Sequence, residues 1–502
     1  MKYQKELPEK RENTGMTRRD FLKTATTAVV GLTIVPRHVL GGPGYIPPSE
    51  KVNLAMIGVG GQGTYDMKQF LQLPDVQVVA VCDVFDECDY RKFYFGGWAG
   101  WKPAQKLVNK HYSAQTGNGS YKGCSAYVDF NEMLEKESDV DAVGVVTTDN
   151  VHAVATMAAI KKGKHVYCQK PLTHDIYEAR VVTEAARKAG IVTQMGNQGH
   201  SFEGNRLMVE WVADGAIGEV REAHVWTNRP AGIWPQGIDR PKEIPSVPRG
   251  LDWNGWLGPA PFRPYHPIYV PFNWRGWWDF GTGALGDMGC HLIDTPVWVL
   301  NLGHPTSVQA SSTTLYEETG PLASIIHYDF PARGDMPPVK MVWYDGGLTP
   351  PRPAELEDGR RMGDGSGVLL VGDKGTIMCN TYGNNPRIIP ETKMREYKRP
   401  PKTIPRVEGI HQDFIQGCKG GTKPCSNFDV SGPLTEIVLL GNLAVQMSGR
   451  RLLWDGEKME VTNVLETNTN RTQGRPGRMT VPDVKKLIKR EYYGGWTLDR
   501  HL

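Results

Sequence analysis

Among the eight cysteines of this 502-residue chain (Cys82, Cys88, Cys124, Cys168, Cys290, Cys379, Cys418 and Cys425) no Cys-x-x-Cys pair occurs. Neither a zinc cage nor a disulfide scaffold is signalled, and the cysteines read as small core residues. An excess of charge of one sign is also missing. Lys plus Arg number 58 and Asp plus Glu 55, a net of +3, which gives nucleic acid or an acidic surface no electrostatic handle. The expected ligand is therefore small. Beyond the N-terminal region no apolar run reaches the roughly 20 residues of a membrane span, and no internal repeat is found. What is present is length enough for two domains with sizeable cores, and 57 Gly, 36 Pro and 14 Trp, which point to many turns and loops.

The chain opens with a segment of its own character. Thr17-Arg18-Arg19-Asp20-Phe21-Leu22-Lys23 precedes a mildly apolar stretch from Ala25 to Val35 and a Pro/Gly-rich exit, Gly41 to Pro48. This resembles a twin-arginine export signal, with no clear cleavage site and no cysteine placed for lipidation. Residues 1–50 are thus expected to be signal and linker, and the protein periplasmic or in the cell envelope.

From Val52 to Ile57 an apolar strand runs into Gly58-Val59-Gly60-Gly61-Gln62-Gly63, a G-x-G-x-x-G turn opening a helix. Gly58 permits the tight turn, Gly60 lets the backbone approach a pyrophosphate, Gly63 allows close helix packing, and the helix N-terminus faces the anion. A second strand, Val76 to Cys82, ends at Asp83, where an acid accepts from a ribose 2′-hydroxyl and repels a 2′-phosphate; NAD is expected. The alternation continues with helices at Gln105 to Tyr112, Phe130 to Lys136 capped by Asp129, Val151 to Lys162 and Ile176 to Lys188, and strands at Ala142 to Val146 and His165 to Cys168. This predicts a doubly wound parallel sheet over 51–196. Residues 86–124 form a long aromatic and Gly-rich insertion in what is ordinarily a short connection, a candidate rim over the cofactor or an oligomer contact.

Three blocks carry a family resemblance. Val145-Val146-Thr147-Thr148-Asp149-Asn150-Val151-His152 looks like ATPxxxH. Gly163 to Leu172 is similar to GKHVxxEKPL, with Gln169 where Glu is usual. Gly281 to Asp294 looks like GGGxLxDxGxHxxD. With these the chain resembles the Gfo/Idh/MocA oxidoreductases from Lys51 to about Asp455. The resemblance implies a C-terminal α/β domain with a large, open, mostly antiparallel sheet over 197–459, followed by a tail, 460–502. It also implies that Lys170, Asp287 and His291 surround the carbon that loses hydride. Asp287 and His291 lie one helical turn apart on one face. His291 is assigned as general acid/base, Lys170 as the partner of the reacting oxygen, and Asp287 as the residue orienting substrate and His291. Thr147, Asn150, His152, Gln169, Lys170 and Asn197 are expected near the cofactor, with Gly58, Gly60, Gly61, Gln62, Gly63 and Asp83. An Asp/His pair is also a fragment of a metal site, but no third ligand is placed, so no metal is expected.

Aromatic residues crowd the approach to that helix: Trp234, Trp253, Trp256, Tyr265, Trp274, Trp277 and Trp278. Trp274, Arg275, Trp278 and His200 are the candidates for substrate contact, since an aromatic face suits a pyranose ring. The helix-like Leu434 to Met447 is expected to pack on the first domain, and the basic run Lys485 to Arg490 to be a solvated face. The expected substrate is a sugar, glycoside or polyol, oxidised at a CH–OH group by a homo-oligomeric enzyme. Export of the folded protein suggests that NAD is retained and recycled. An NAD-dependent glycosidase working by transient ketone formation is the alternative, with Tyr265, His266 or His200 as its extra base; a non-catalytic sugar or NAD sensor is the second alternative.

Overall fold

The computed structural model describes residues 46–115, 123–363, 365–464 and 483–498. The twin-arginine segment lies outside them. Residues Lys51–Leu502 form one unit containing two large sheets.

The first sheet has six strands, the longer of them apolar: β1 (Val52–Ile57), β2 (Val76–Cys82), β5 (Ser125–Tyr127), β6 (Ala142–Val145), β7 (His165–Cys168) and β8 (Thr193–Met195). All pair in parallel, in the order β5-β2-β1-β6-β7-β8. The crossovers are helices: α1 (Gly61–Leu71), α2 (Trp101–Gln115), α3 (Phe130–Lys136), α4 (Asp149–Lys161) and α5 (Ile176–Ala189). Their starts are chemically marked. The Asp129 carboxylate accepts from the Asn131 amide, and Asp175 and Glu178 form a reciprocal capping box on α5, which stops at left-handed Gly190. Helices on both faces bury β1, β6 and β7, which explains their near-continuous apolar character.

The insertion adds a short ribbon, β3 (Cys88–Asp89) with β4 (Trp98–Ala99), ahead of α2. Its aromatic rings reach the second half of the molecule: Phe93 stacks on Phe272 with centroids 4.8 Å apart, and the Tyr90 hydroxyl donates to the Pro271 carbonyl. It forms the rim over the first cleft.

After α6 (Glu203–Ala213), the chain builds a nine-stranded mixed sheet: β9 (Val220–Thr227), β10 (Ser307–Ser312), β11 (Ser324–Phe330), β12 (Val339–Tyr344), β13 (Ser366–Gly372), β14 (Thr376–Asn380), β15 (Arg387–Ile389), β16 (Arg451–Asp455) and β17 (Glu460–Val461). Only β9 and β12 pair in parallel; the rest is antiparallel. Between β9 and β10 come α7 (Trp253–Leu257), α8 (Gly283–Leu292) and α9 (Asp294–Val299).

Two expectations need correction. The helix Phe428–Gln446 starts before Pro433, and by length and composition it is apolar enough to cross a membrane. Most of it is buried between α5, α8 and β10, so it is a core helix that packs on the first domain as expected, and only its bounds, Phe428–Gln446 in place of Leu434 to Met447, differ. The basic run is not uniformly solvated: the buried Arg490 guanidinium pairs with Glu178 at 2.6 Å, and Lys489 lies over the Tyr177 ring, while Lys485 and Lys486 stay exposed. Arg490 lies beyond the short helix Val484–Ile488, and a cation that finds a buried carboxylate leaves no trace in the local charge pattern.

Candidate active site

The C-terminal ends of the parallel strands open into a cleft, where a doubly wound sheet ordinarily takes its ligand. Gly58, Gly60, Gly61, Gln62, Asp83, Thr147, His152, Gln169, Lys170, Trp274, Arg275 and Asp287 all line it. Gly58 is left-handed, at φ +81°, and a Cβ there would stand 2.4 Å from the Val146 carbonyl oxygen; one on Gly63 would meet the Gly58 oxygen. Neither position tolerates a side chain. Asp83 accepts from the Val59 and Phe85 amides at 2.8 and 2.9 Å. Burial pushes its carboxyl up to about 6 while those amides pull it down.

This side fits a dinucleotide, with one mobile requirement. A Cβ on Gly60 would lie 2.6 Å from the Tyr90 hydroxyl, and one on Gly61 would meet the Phe95 ring. The insertion therefore stands on the turn where a pyrophosphate would meet the helix amides, and it must swing aside for that contact.

Gln169 explains its own departure from the family pattern. Its amide donates to the fully buried carboxylate of Asp66 at 2.8 Å, and its carbonyl oxygen accepts from the Lys170 amide. Asp66 also accepts from Gln62 and is 3.1 Å from His411. The negative charge has moved one side chain away, and a Glu at 169 would set two buried carboxylates together. His152 donates through Nδ1 to the Pro171 carbonyl at 2.7 Å, the tautomer that a carbonyl partner requires. Burial pushes its pKa down to about 4.

At the far end, Lys170, which follows β7, meets Asp287 of α8. The ammonium donates to the Asp287 backbone oxygen at 2.6 Å and to Oδ1 at 3.0 Å. Burial opposes ionisation of Asp287, but Lys170, Arg275 and Arg229 outweigh it and hold the carboxyl well below the usual range. His291 sits one turn further along α8, buried, with Nδ1 unpartnered. Burial first, and the Lys170 charge second, push its pKa down to about 3, so the imidazole is neutral. Its ring meets that of Tyr382 edge-on at 4.8 Å.

Sequence reasoning passed over four residues here. Tyr382, in the turn after β14, has φ +65°, a strained value for a non-glycine residue and one often found at functional sites. Arg229 follows β9, with Nε 3.5 Å from Asp287 Oδ2. Asp149, at the start of α4, accepts from the Thr282 hydroxyl at 2.6 Å, and burial pushes its carboxyl up to about 7. Tyr94 of the insertion lines the same cleft. The positive φ falls on a Tyr-Gly step, a faint turn signal; Asp149 lies in the ATPxxxH-like block and Tyr94 in the aromatic insertion without being singled out there, and Arg229 carries no signal.

Several candidates stand elsewhere. Asn150 donates to the Leu257 carbonyl, and Asn197 accepts from the Ser426 hydroxyl through Oδ1. His200 is buried 2.8 Å from Asp294 and stacked on Trp298. Trp278 lines a second, open cavity, beside Asp175 and Arg490. Tyr265 packs edge-on to Trp253, and His266 accepts from the Ile268 amide. Among the described residues no group of three or more His, Cys, Asp or Glu stands together as a metal site would require.

Comparison with known proteins agrees with this architecture. Residues 97–197 match the model of an oxidoreductase family's NAD-binding Rossmann fold, and residues 234–323 that of the same family's C-terminal alpha/beta domain. The 1,5-anhydro-D-fructose reductase of Ensifer adhaerens is 30% identical over 174 residues, 34% of this chain and 40% of that protein. A glycosyl hydrolase family 109 protein of Shewanella pealeana is 26% identical over 220 residues, 41% and 44% of the two chains. The chain thus spans less than half the length of these curated relatives. The WlbA dehydrogenase from Bordetella pertussis, solved with NADH and UDP-GlcNAcA, superposes with a TM-score of 0.52 at 16% identity, covering 81% of this chain and 99% of that one. That likeness is one of fold.

Proposed function

We propose that this chain, which carries both domains of the Gfo/Idh/MocA oxidoreductases and binds NAD through the first of them, oxidises a CH–OH group of a sugar, glycoside or polyol. The observation that supports this most is the meeting of Lys170 and Asp287 at the end of the cleft that begins at the Gly58 turn. Bound NAD supplies the hydride acceptor. The chain's own groups manage the proton and the charge. Asp287 fixes the Lys170 ammonium, which donates a hydrogen bond to the reacting oxygen and favours its alkoxide form. His291, whose Nδ1 is unpartnered, is assigned as acceptor of the hydroxyl proton, a role that requires the pKa of about 3 set by burial and the Lys170 charge to rise as the alkoxide's negative charge develops beside it. The aromatic insertion, which must move off the turn to admit the pyrophosphate, would have to move again to release it and so would slow exchange of bound NAD, and export by the twin-arginine route would suit a protein that retains its cofactor.

One observation favours the glycosidase reading as an alternative. Elimination beside a transient ketone needs a further acid or base, and Tyr382 stands against His291 where the earlier candidates Tyr265, His266 and His200 do not. The test starts from protein purified without added nucleotide, denatured, and analysed by mass. Near-stoichiometric NAD or NADH supports retention, whereas an empty protein removes that part of the reading. Sugar-dependent bleaching or formation of NADH absorbance, lost in His291→Ala, supports oxidation. Release of an aryl group from an aryl glycoside without net NADH supports elimination. No hydride transfer with any sugar, from a protein that holds NAD, would favour the sensor reading.

A further inference from the structure

Charge at the substrate end of the cleft does not balance. Lys170, Arg229 and Arg275 converge on one carboxylate, Asp287, at 3.0, 3.5 and 3.5 Å. The other nearby acid, Asp149, is buried and accepts from the Thr282 hydroxyl rather than pairing with a cation, and burial pushes its carboxyl up to about 7; His291 is neutral. Three cationic groups thus face one permanent anion.

The two arginines are also short of partners. A separation of 3.5 Å is an ion pair but no hydrogen bond. The Arg229 Nε is buried without a partner, and its guanidinium makes no side-chain hydrogen bond among the described residues. Arg275 is spent only on the Phe272 carbonyl, through Nη1 at 2.9 Å. Its guanidinium lies 4.2 and 4.4 Å from the ring centroids of Phe272 and Trp274, a stacking that holds its plane ready. A buried donor left unmet costs free energy, and a fixed planar guanidinium matches an anionic oxygen pair. Hydroxyl groups of a neutral sugar would satisfy donors but leave the charge.

We propose that Arg229 and Arg275 form an anion subsite, so that the preferred substrate is a sugar bearing a negatively charged substituent, a carboxylate as in a uronic acid or a phosphate as in a sugar phosphate. This rests on the proposed function above, naming the substrate class of the same site.

Binding to the NAD-loaded protein, measured by calorimetry, tests it. A panel pairs aldohexuronates and hexose 6-phosphates with the neutral hexoses they derive from. At least one acid should bind about 10- to 100-fold tighter than its neutral counterpart, the range expected for a charge-assisted hydrogen-bonded pair. Preference among uronates identifies the carboxylate as the source, and preference among the phosphates identifies the phosphate. Arg229→Gln should erase most of the preference while leaving NAD content unchanged, and Arg229→Lys should keep part of it. The subsite is overturned if no acid outbinds its neutral partner, if Arg229→Gln weakens both members of a pair equally, or if that variant loses NAD instead. Hydride transfer with neutral hexoses alone would leave the oxidoreductase reading standing and this one failed. Tight uronate binding without hydride transfer would do the reverse.

Discussion

The turn that receives the dinucleotide and the pocket that faces the substrate differ in how their parts are gathered. Gly58 to Gly63 and Asp83 sit close in the chain, on two neighbouring strands of one sheet. Lys170, Arg229, Arg275, Asp287 and Tyr382 come from five separate segments, and only the packing of both sheets around α8 brings all of them together. One end is specified by backbone conformation, which a short motif can write. The other is specified by charge, which acts through space.

If the two ends are separable, Lys170→Met should lower hydride transfer about a thousandfold, in the range for losing a positioned proton-handling group, while the NAD released on denaturation stays the same. Single-turnover absorbance and mass analysis read the two quantities; a parallel loss of NAD would break the distinction. Gly58→Ala should act in the opposite sense. Its left-handed conformation and its approach to Val146 predict a cost of about 1–3 kcal/mol from the backbone alone, a lower Tm and loss of bound NAD.

Gln169→Glu sharpens the comparison, because it restores the Glu of the GKHVxxEKPL pattern that this stretch resembles and should nonetheless harm this protein. Two buried carboxylates would then share one site, at a cost of about 2 kcal/mol in thermal or chemical unfolding, and Asp66→Asn in the same chain should recover it. Recovery by the second change would show that the pair, not position 169 alone, sets the charge. Phe95→Ala, which removes the ring over Gly61, should speed exchange of bound NAD about tenfold, measured by chase with labelled nucleotide.

The smallest effect is a pH dependence. The Asp149 carboxyl is raised above its unfolded value, so it is neutral below about pH 7 and adds negative charge beside Lys170 and Arg275 above it. For an acidic sugar, KM should therefore rise a few-fold between about pH 6 and pH 8, and Asp149→Asn should flatten that rise. His291, pushed down to about 3, should contribute no titration in that window.

Much of the first sheet could be read in advance, since Val76–Cys82 and His165–Cys168 are apolar runs bounded by turn residues and Asp129 is an ordinary cap. The 86–124 insertion could be seen as extra, yet whether its rings faced the cofactor turn or another subunit depended on Phe272, far along the chain. His200 was plausible by its place after the last strand of the first sheet, and Trp278 by proximity in sequence to the Asp287 helix. Their side chains instead found Asp294 and the second cavity, because side-chain direction follows packing and not sequence distance.

By itself the sequence determined the parallel sheet, the glycine turn with its acid, and the one-turn spacing of Asp287 and His291, because each follows from backbone sterics or helical period within a short window. Only the tertiary structure decided that Gln169 answers a buried Asp66, that Tyr382 stands beside His291, and that Arg229 and Arg275 outnumber the acids around Asp287. Those are contacts between segments far apart in the chain, and burial, which sets the strength of every charge in them, exists only once the chain has folded.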